Sequence, residues 1–366
     1  MPDPQQQLQK FLDRTVSEGR ERGAQLAVYH RGKLVIDAFA GVTDATGDKK
    51  VDGDTLFPIF SCTKGLVATL ANLLVERGKI DYDTPIADVW PEFAQNGKGN
   101  ILFRHALTHT SGLQLMSPEL KSADDLLDWD KAVTSVARQK PVSGPGEEVV
   151  YHAVTFGWIV GEVLRRVDGR PFDQMLLEEI CGPLNAPDLY CGLPAELDNR
   201  VAELEEIFQE DQSATIANPS TPREVGSFMR PLHQWMNLPE GRRACVPASS
   251  GIGNARSLAR HYAALVPGGV DGVELLPPER IRLATQRVVP TKPPVGEPKG
   301  FGMGYELGPP PPPDGFILSA PVAGVAAGCS ATLWCRSRAV PRRPPSPSRP
   351  LPRGVCRAGN ARRNRP

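Results

Sequence analysis

The first part of the chain changes from helical spacing of apolar residues to strand-like apolar runs. Residues 7–22 carry apolar side chains along one side, which predicts a solvated amphipathic helix. Residues 25–30 and 33–39 are two apolar runs around a two-residue Arg-Gly turn. This pattern predicts a β-hairpin. The polar residues 43–54, rich in Gly and Asp, are predicted to form a loop.

The helical period returns at Ser61 and dominates the middle of the chain. A leucine stripe follows Ser61, and Gly78 stands where a helix C-cap is expected. Asn254 suits the N-cap of a later helix. The further predicted helices span residues 101–108, 124–138, 154–167, 172–180 and 255–265.

Strand character reappears near the end of the chain. Residues 300–307 alternate like a strand, and the five prolines at 309–313 end it. Strands at both ends with helices between them predict an α+β fold, with one antiparallel sheet built from both ends and flanked by helices, plus a mostly helical domain. The predicted boundaries are residues 1–60 and 240–335 for the two halves of the α/β domain, 61–239 for the helical domain and 336–366 for a disordered Arg/Pro-rich tail.

Composition excludes several classes of protein. The 366 residues contain no apolar run of about 18, so we expect no membrane span. The N-terminus lacks the basic and apolar segments of a signal peptide. Seven cysteines without paired spacing indicate reduced thiols in a cytoplasmic protein. The six histidines do not pair with cysteines or acids at metal-ligand spacing, so we expect no metal.

The formal net charge of zero conceals an acidic body and a basic tail. Residues 336–366 hold ten Arg and seven Pro but no Asp or Glu, which leaves 32 basic and 42 acidic residues in the rest of the chain. An acidic body argues against a nucleic-acid surface on the folded part. The tail is open to two interpretations, a disordered basic arm that binds an acidic partner or the product of a shifted reading frame.

The candidate chemistry begins with Ser61 and Lys64. Ser-x-x-Lys places a hydroxyl and an amine one helical turn apart, which is the minimum geometry for a serine nucleophile with a lysine base. Lys64 accepts a proton only when it is neutral, and lowering its pKa from ~10.4 to near 7 takes about 4–5 kcal/mol. The alternative is that Ser61 is only an N-cap and Lys64 a solvated residue of the first turn.

Tyr151 is the candidate for a third catalytic residue. It follows a turn and precedes a predicted helix. In contact with both Ser61 and Lys64, its phenol would pass a proton to the leaving group. The alternative is an ordinary half-buried tyrosine with its hydroxyl at the surface.

The polar run at residues 107–113 also contains reactive types, His109 and Ser111. No acid is placed nearby in the sequence to orient His109 as a base. We therefore expect the hydroxyls of this run to bond backbone groups in a turn that ends at Gly112. A metal or catalytic site is the alternative.

Several motifs stand in an order known from one superfamily of serine enzymes. They are Leu56-Phe57-Pro58-Ile59-Phe60-Ser61-Cys62-Thr63-Lys64-Gly65, Gly78-Lys79-Ile80-Asp81-Tyr82-Asp83-Thr84-Pro85-Ile86, Leu107-Thr108-His109-Thr110-Ser111-Gly112, Tyr151-His152-Ala153 and the stretch from Ser250-Gly251 to Leu265. Together they resemble the serine β-lactamase/penicillin-binding-protein superfamily, and within it the class C β-lactamase-like esterases. The resemblance covers about residues 10–308.

This resemblance implies a β-lactamase/transpeptidase-like fold and an acyl-serine mechanism. Ser61 would attack a carbonyl, Lys64 would take its proton, and Tyr151 would assist acylation and deacylation. The backbone N–H of Ser61 would be one half of the oxyanion hole. The resemblance implies no cofactor.

Two departures from the family bear on function. Ala153 stands where the family's Tyr-x-Asn element has an amide that binds the acyl amide of β-lactams and peptides, which favours ester substrates. The third motif, Lys-Thr-Gly or His-x-Gly, is missing after residue 308, so we expect C-terminal strands of the fold to be missing. The second oxyanion donor would be lost with that strand, at ~3–4 kcal/mol. We hypothesise that the native frame is lost between about residues 309 and 328.

The sequence therefore predicts a cytoplasmic serine hydrolase that acts on small carboxylic esters, with Ser61, Lys64 and Tyr151 as its catalytic residues and neither a membrane nor nucleic acid as a partner. One alternative is a catalytically silent protein that binds a ligand or another protein through the same cleft. The other is a β-lactamase or D-Ala carboxypeptidase that cleaves amides.

Overall fold

The computed structural model describes residues 3–205, 232–292, 300–307, 315–319 and 332–336. The helices within these ranges are α1 Pro4–Ser17, α2 Thr63–Glu76, α3 Ile86–Val89, α4 Phe103–Leu107, α5 Trp129–Arg138, α6 Thr155–Asp168, α7 Phe172–Leu176, α8 Gly182–Leu184, α9 Leu232–Asn237, α10 Pro239–Arg243, α11 Ala255–Ala263 and α12 Pro278–Ala284. The strands are β1 Gly23–His30, β2 Lys33–Gly41, β3 Phe57–Phe60, β4 Leu189–Cys191, β5 Gly251–Gly253, β6 Gly300–Phe301, β7 Glu306–Leu307, β8 Gly315–Ser319 and β9 Thr332–Arg336.

The predicted helices are present, with shifted ends. α1 starts three residues before the predicted helix at 7–22 and ends earlier, ahead of Gly19 at φ +69°. The single helix predicted at 124–138 is a short 3₁₀ turn followed by α5. The side chain of Asp128 caps α5 by accepting a hydrogen bond from the Lys131 N–H, 3.0 Å. Because Asp128 caps the start of α5, the segment that the apolar spacing predicted as one helix is two separate elements.

Two helix ends confirm the caps expected from the sequence. Gly78, two residues after the end of α2, has φ +65°. The Lys79 N–H donates to the Leu74 carbonyl at 2.9 Å, which makes this helix end a Schellman motif. At α11, the Asn254 side chain accepts from the Ser257 N–H at 2.8 Å. Both caps depend only on neighbouring residues, which is why spacing alone predicted them.

The predicted hairpin is also confirmed. β1 and β2 pair antiparallel, with His30 opposite Lys33. The two turn residues, Arg31 and Gly32, have φ +52° and +74°. Positive φ at both positions suits a two-residue hairpin turn.

The expectation of one sheet built from both chain ends needs correction. Within the described ranges the strands form three separate antiparallel sheets, β1-β2, β3-β5-β4 and β6-β7-β8-β9. The β1-β2 ribbon buries one face under α1, where Leu12 packs with Ile36, Ala38 and Ala40. A second, larger core surrounds α2, whose residues 63–75 are all buried.

Residues 300–307 form a hairpin and not the continuous strand expected. Phe301 of β6 lies opposite Glu306 of β7. In the turn, Gly304 has φ +92°, and a Cβ on it would lie 2.6 Å from the Ala68 side chain of α2. The glycines that looked like strand alternation instead permit a turn pressed against a helix.

The sheet continues past residue 308, where we expected strands to be missing. β8 pairs with β7, and β9 pairs with β8. Residues 308–314, 320–331 and 337–366 lie outside the described residues, so the hypotheses on the reading frame and the disordered tail stay predictions. The division into domains also stays a prediction. None of the described helices has the length and apolarity to cross a membrane.

Candidate active site

Ser61 lies at the junction of β3 and α2, with only 5% of its surface exposed. Phe60 just before it has φ +42°, a conformation that is costly for a bulky residue. The Thr63 hydroxyl donates to the Phe60 carbonyl and accepts from the Gly251 N–H at 2.9 Å. These bonds tie the turn that carries Ser61 to β5.

Lys64 is buried one residue into α2, in contact with Ser61. Its Nζ lies 3.2 Å from Ser61 Oγ and donates to the carbonyls of Ala153 at 2.8 Å and Ala248 at 2.9 Å. A neutral amine has two N–H groups and one lone pair. Because the two carbonyls take both N–H groups, the lone pair is left facing the Ser61 hydroxyl.

Burial lowers the pKa of Lys64 from 10.5 to about 7, because desolvation penalises the ammonium. Cys62 and Glu306 oppose this by raising the pKa of Lys64. Lys64 forms no ion pair with any residue in the described part of the chain. In a large fraction of the molecules Lys64 is therefore neutral near pH 7, as a general base requires.

A second buried lysine, Lys98, shows what a structural ammonium looks like in this fold. Its Nζ donates to three carbonyls, those of Gln95 at 2.8 Å, Ala137 at 2.7 Å and Gln139 at 2.5 Å. Burial lowers the pKa of Lys98 to about 8. With all three N–H groups bonded, Lys98 has no lone pair to offer and closes the C-terminal end of α5.

The hydroxyl of Tyr151 donates to Ser61 Oγ at 2.9 Å. Burial raises the pKa of Tyr151 above its ordinary value of 10, so the phenol stays protonated at neutral pH. Lys64 Nζ lies 4.8 Å from the centre of the Tyr151 ring. The structure thus brings together all three residues that the sequence singled out.

The backbone N–H of Ser61 donates to no residue among those described. It stands directly before the first turn of α2, where the helix dipole favours negative charge. This N–H is therefore available to an oxyanion. The second oxyanion donor is expected to be lost, because the third motif that would supply it is missing from the sequence after residue 308.

In the polar run at 107–113, the hydroxyls of Thr108 and Thr110 bond backbone carbonyls, as expected, whereas the Ser111 hydroxyl bonds the His152 ring. The Thr108 hydroxyl donates to the Arg104 carbonyl at 2.7 Å, and the Thr110 hydroxyl lies 3.4 Å from the His105 carbonyl. Gly112 ends the turn at φ +74°, and a Cβ there would lie 2.3 Å from the Ser143 carbonyl oxygen.

His152 is a functional candidate that the sequence did not reveal. The Leu113 N–H donates to its Nε2 at 3.2 Å, so Nε2 carries no proton. The Val150 carbonyl lies 2.6 Å from Nδ1, so the proton sits there. The Ser111 hydroxyl then donates to Nε2 at 2.8 Å. Burial lowers the pKa of His152 to about 4 and keeps the ring neutral.

This ring fixes the segment on both sides of it. The His152 backbone N–H donates to Nδ1 of His109 at 3.0 Å. Its neighbours are Tyr151, bonded to Ser61, and Ala153, whose carbonyl holds Lys64. The only signal in the sequence was its place within the Tyr151 motif.

Gly157 sets the position of the other carbonyl that holds Lys64. A Cβ on Gly157 of α6 would lie 2.5 Å from the Ala248 backbone nitrogen. The absence of a side chain therefore lets the 247–248 loop rest directly on α6.

The family model described as Beta-lactamase matches residues 8–337, which is most of the chain. The chain belongs to the beta-lactamase family. Among curated relatives, the Esterase/beta-lactamase LipL of Mycobacterium tuberculosis is 32% identical over 298 residues, with 77% of this chain and 68% of that protein covered.

This beta-lactamase family member is similar in structure to esterases and to penicillin-binding-protein homologues. A family VIII carboxylesterase superposes with a TM-score of 0.73 at 31% identity, covering 87% of this chain and 85% of the other. A penicillin-binding-protein homologue from Caulobacter crescentus superposes with a TM-score of 0.70 at 30% identity, covering 84% of this chain and 81% of the other. The β-lactamase/transpeptidase-like α+β fold and the resemblance to the esterase branch are thereby confirmed.

Proposed function

We propose that this chain is a serine hydrolase that cleaves small carboxylic esters through an acyl-enzyme on Ser61. The observation that carries the proposal is the contact of Ser61 Oγ with both Lys64 Nζ, 3.2 Å, and the Tyr151 hydroxyl, 2.9 Å. A nucleophile within hydrogen-bond reach of a buried, largely neutral base is the arrangement that acyl transfer requires.

Acylation begins with the Ser61 hydroxyl donating to the lone pair of Lys64. As Ser61 Oγ bonds to the ester carbonyl carbon, its proton moves to Lys64 Nζ and the carbonyl oxygen becomes an oxyanion at the Ser61 N–H. The intermediate then expels the alcohol oxygen, which takes a proton from the Tyr151 hydroxyl. Tyr151 recovers that proton from the Lys64 ammonium, so that both groups return to their starting state.

Deacylation runs the same steps with water as the nucleophile. Lys64, neutral again, removes a proton from the water as its oxygen attacks the acyl carbon. The Ser61 oxygen leaves and recovers a proton through Tyr151. The products are a carboxylic acid and an alcohol, and no cofactor is required.

Esters are favoured over amides on two grounds. Ala153 has no side-chain amide to bond the acyl amide of a peptide or β-lactam. A family VIII carboxylesterase aligns over most of this chain, and so does LipL, which is named both an esterase and a beta-lactamase. The amide-cleaving alternative remains a separate arm of the test.

The test compares the wild-type chain with Ser61→Ala. Turnover of p-nitrophenyl esters and labelling by a fluorophosphonate probe are expected in the wild type and lost in the variant. Ser135→Ala is the matched control, because Ser135 is buried in α5 and its hydroxyl, within the described part of the chain, bonds the Ala132 carbonyl of the same helix. Labelling that persists in Ser61→Ala would contradict the proposal, as would a folded wild type that is never labelled. Nitrocefin hydrolysis would favour the amide-cleaving alternative.

We also propose that the enzyme works in the cytoplasm. None of the described cysteines, Cys62, Cys181, Cys191 and Cys245, forms a disulfide. Cys191 and Cys245 have sulfur atoms 3.5 Å apart. Such a close pair of thiols suits a reducing compartment. Cell fractionation tests this, and enzyme found outside the cytoplasm would contradict it.

A further inference from the structure

Glu306 belongs to the β6-β7 hairpin, whose Phe301 packs beside the candidate active site. It lies directly opposite Phe301 in the β6-β7 hairpin. Opposite residues of an antiparallel pair project their side chains from the same face, with Cβ atoms about 4.5–5.5 Å apart. The Phe301 ring stacks on Tyr151 at 6.3 Å and 16°, and meets His109 edge-on at 4.5 Å. The Glu306 side chain is therefore directed to the side of the hairpin that faces Tyr151.

The electrostatics agree with this placement. Glu306 raises the pKa of Lys64 and also the pKa of Tyr151. Its carboxylate therefore acts on the groups that take and return the proton. Glu306 is half-buried. Water and salt therefore screen the charge of its carboxylate less than they screen a fully exposed charge.

We propose that Glu306 selects against substrates that carry a carboxylate beside the scissile bond, so that the site takes uncharged esters. This inference rests on the proposed function, since it concerns the substrate of the same serine. A substrate carboxylate and the Glu306 carboxylate repel each other when both lie at one partly buried site, and we expect this repulsion to change binding by about tenfold. The same repulsion applies to β-lactams and peptide C-termini, which carry a carboxylate next to the bond to be cleaved.

The experiment uses two p-nitrophenyl esters of equal length, the butyrate and the hemisuccinate, which differ by a terminal carboxylate. The measured quantity is the ratio of kcat/KM for butyrate to that for hemisuccinate. Glu306→Gln is expected to lower this ratio about tenfold. Added salt is expected to lower the ratio in the wild type, because it screens the repulsion between the Glu306 carboxylate and the substrate carboxylate. The ratio is expected to stay nearly constant in Glu306→Gln, which lacks this repulsion.

Two further variants separate charge from structure. Glu306→Asp keeps the carboxylate and is expected to keep a ratio near that of the wild type. Glu279→Gln removes an exposed carboxylate of α12 that pairs with Arg282, and is expected to leave the ratio unchanged. A ratio that falls equally in Glu306→Asp and Glu306→Gln would overturn the inference, since loss of packing would then be the cause.

A second readout is the acid limb of the pH profile. Glu306→Gln is expected to move this limb to lower pH, because the carboxylate that favours the Lys64 ammonium is gone. Among the described residues, the other titratable groups facing Lys64 are Cys62, directly before α2, and Tyr151 and His152 on the segment before α6, and the substitution leaves all three in place. An active enzyme with an unchanged ratio and an unmoved limb overturns this inference alone. A wild type with no turnover of either ester and no labelling of Ser61 overturns the proposed function as well.

Discussion

At the scale of single residues, Lys64 combines a cost and a function. Holding the pKa of Lys64 at about 7 instead of 10.5 corresponds to about 4–5 kcal/mol of lost preference for the ammonium. Lys64→Met removes this cost but leaves the Ala153 and Ala248 carbonyls without a donor, at about 1–3 kcal/mol each. The two effects on stability nearly cancel, so we expect little change in the midpoint of thermal unfolding. Because the proposed base is gone, we expect ester turnover to fall by at least about 10³-fold.

Lys98→Met is the matched control for that prediction. It leaves three carbonyls without a donor at the end of α5, and Lys98 makes no contact with Ser61. We expect a clearly lower unfolding midpoint with kcat/KM retained below it. The prediction fails if Lys64→Met unfolds the protein or if Lys98→Met abolishes turnover.

The pH dependence of turnover follows from the direction of the shifts. Lys64 serves as a base only when neutral, and its pKa is about 7. We expect log kcat/KM to rise with unit slope as pH increases towards about 7 and then to level off. The pKa of Tyr151 is raised above 10, so no alkaline fall is expected before pH 10. Stopped-flow ester assays between pH 5 and 10 measure both limbs, and an acid limb near 4.5 would instead indicate a carboxylate base.

His152 is predicted to position Tyr151 and the carbonyl of Ala153. In His152→Gln the Val150 carbonyl loses the Nδ1–H donor, so the 150–153 segment shifts. We expect kcat to fall about 10–100-fold with KM nearly constant, because alignment of the reacting groups is lost and not substrate binding. Ser111→Ala is expected to give a smaller fall that does not add to it, since both act through one hydrogen bond. A rise in KM with kcat intact would contradict this role.

At the scale of elements, the close contact between α6 and the 247–248 loop sets the site. Gly157→Ala would place a Cβ 2.5 Å from the Ala248 nitrogen, so the loop must move and take the Ala248 carbonyl off Lys64. We expect a loss of stability of about 1–3 kcal/mol and a fall in kcat larger than the loss of folded protein explains. Gly99→Ala, at an exposed position with open space, is the control expected to change neither. Chemical unfolding and active-site titration separate the two effects.

The same scale explains what the sequence could predict. The Arg31-Gly32 turn, the Gly78 cap and the Asn254 cap depend on bonds within a few residues, so local pattern was sufficient. The carbonyls that hold Lys64 lie 89 and 184 residues away along the chain. No spacing rule reaches that far. The hairpin at 300–307 was misjudged because glycine serves both patterns, and only the contact with Ala68 decides between them.

At the scale of the whole molecule, distant segments converge on one serine. The β3-α2 junction supplies Ser61 and Lys64, the segment before α6 supplies Tyr151, and the β6-β7 hairpin supplies Phe301 behind it. Packing around α2 holds these parts together, because its residues 63–75 are all buried. The order of motifs predicted the nucleophile, the base and the phenol as Ser61, Lys64 and Tyr151, and the structure brings these three side chains together. It carried no information on the two carbonyls that orient the base.

The last prediction concerns the part of the molecule that should complete the site. The family's third motif is absent from residues 309–366, and we hypothesise that the native frame is lost between about residues 309 and 328. That motif's strand contributes the second oxyanion N–H, and one such donor is worth about 10²–10³ in turnover. A chain translated in the restored frame should therefore hydrolyse p-nitrophenyl esters about 10²–10³-fold faster, with an unchanged acid limb, since Lys64 is common to both. Ser61→Ala in the restored chain is the control and should be inactive. Equal turnover by the two chains, or an intact frame through residue 366 in close relatives, would contradict the hypothesis.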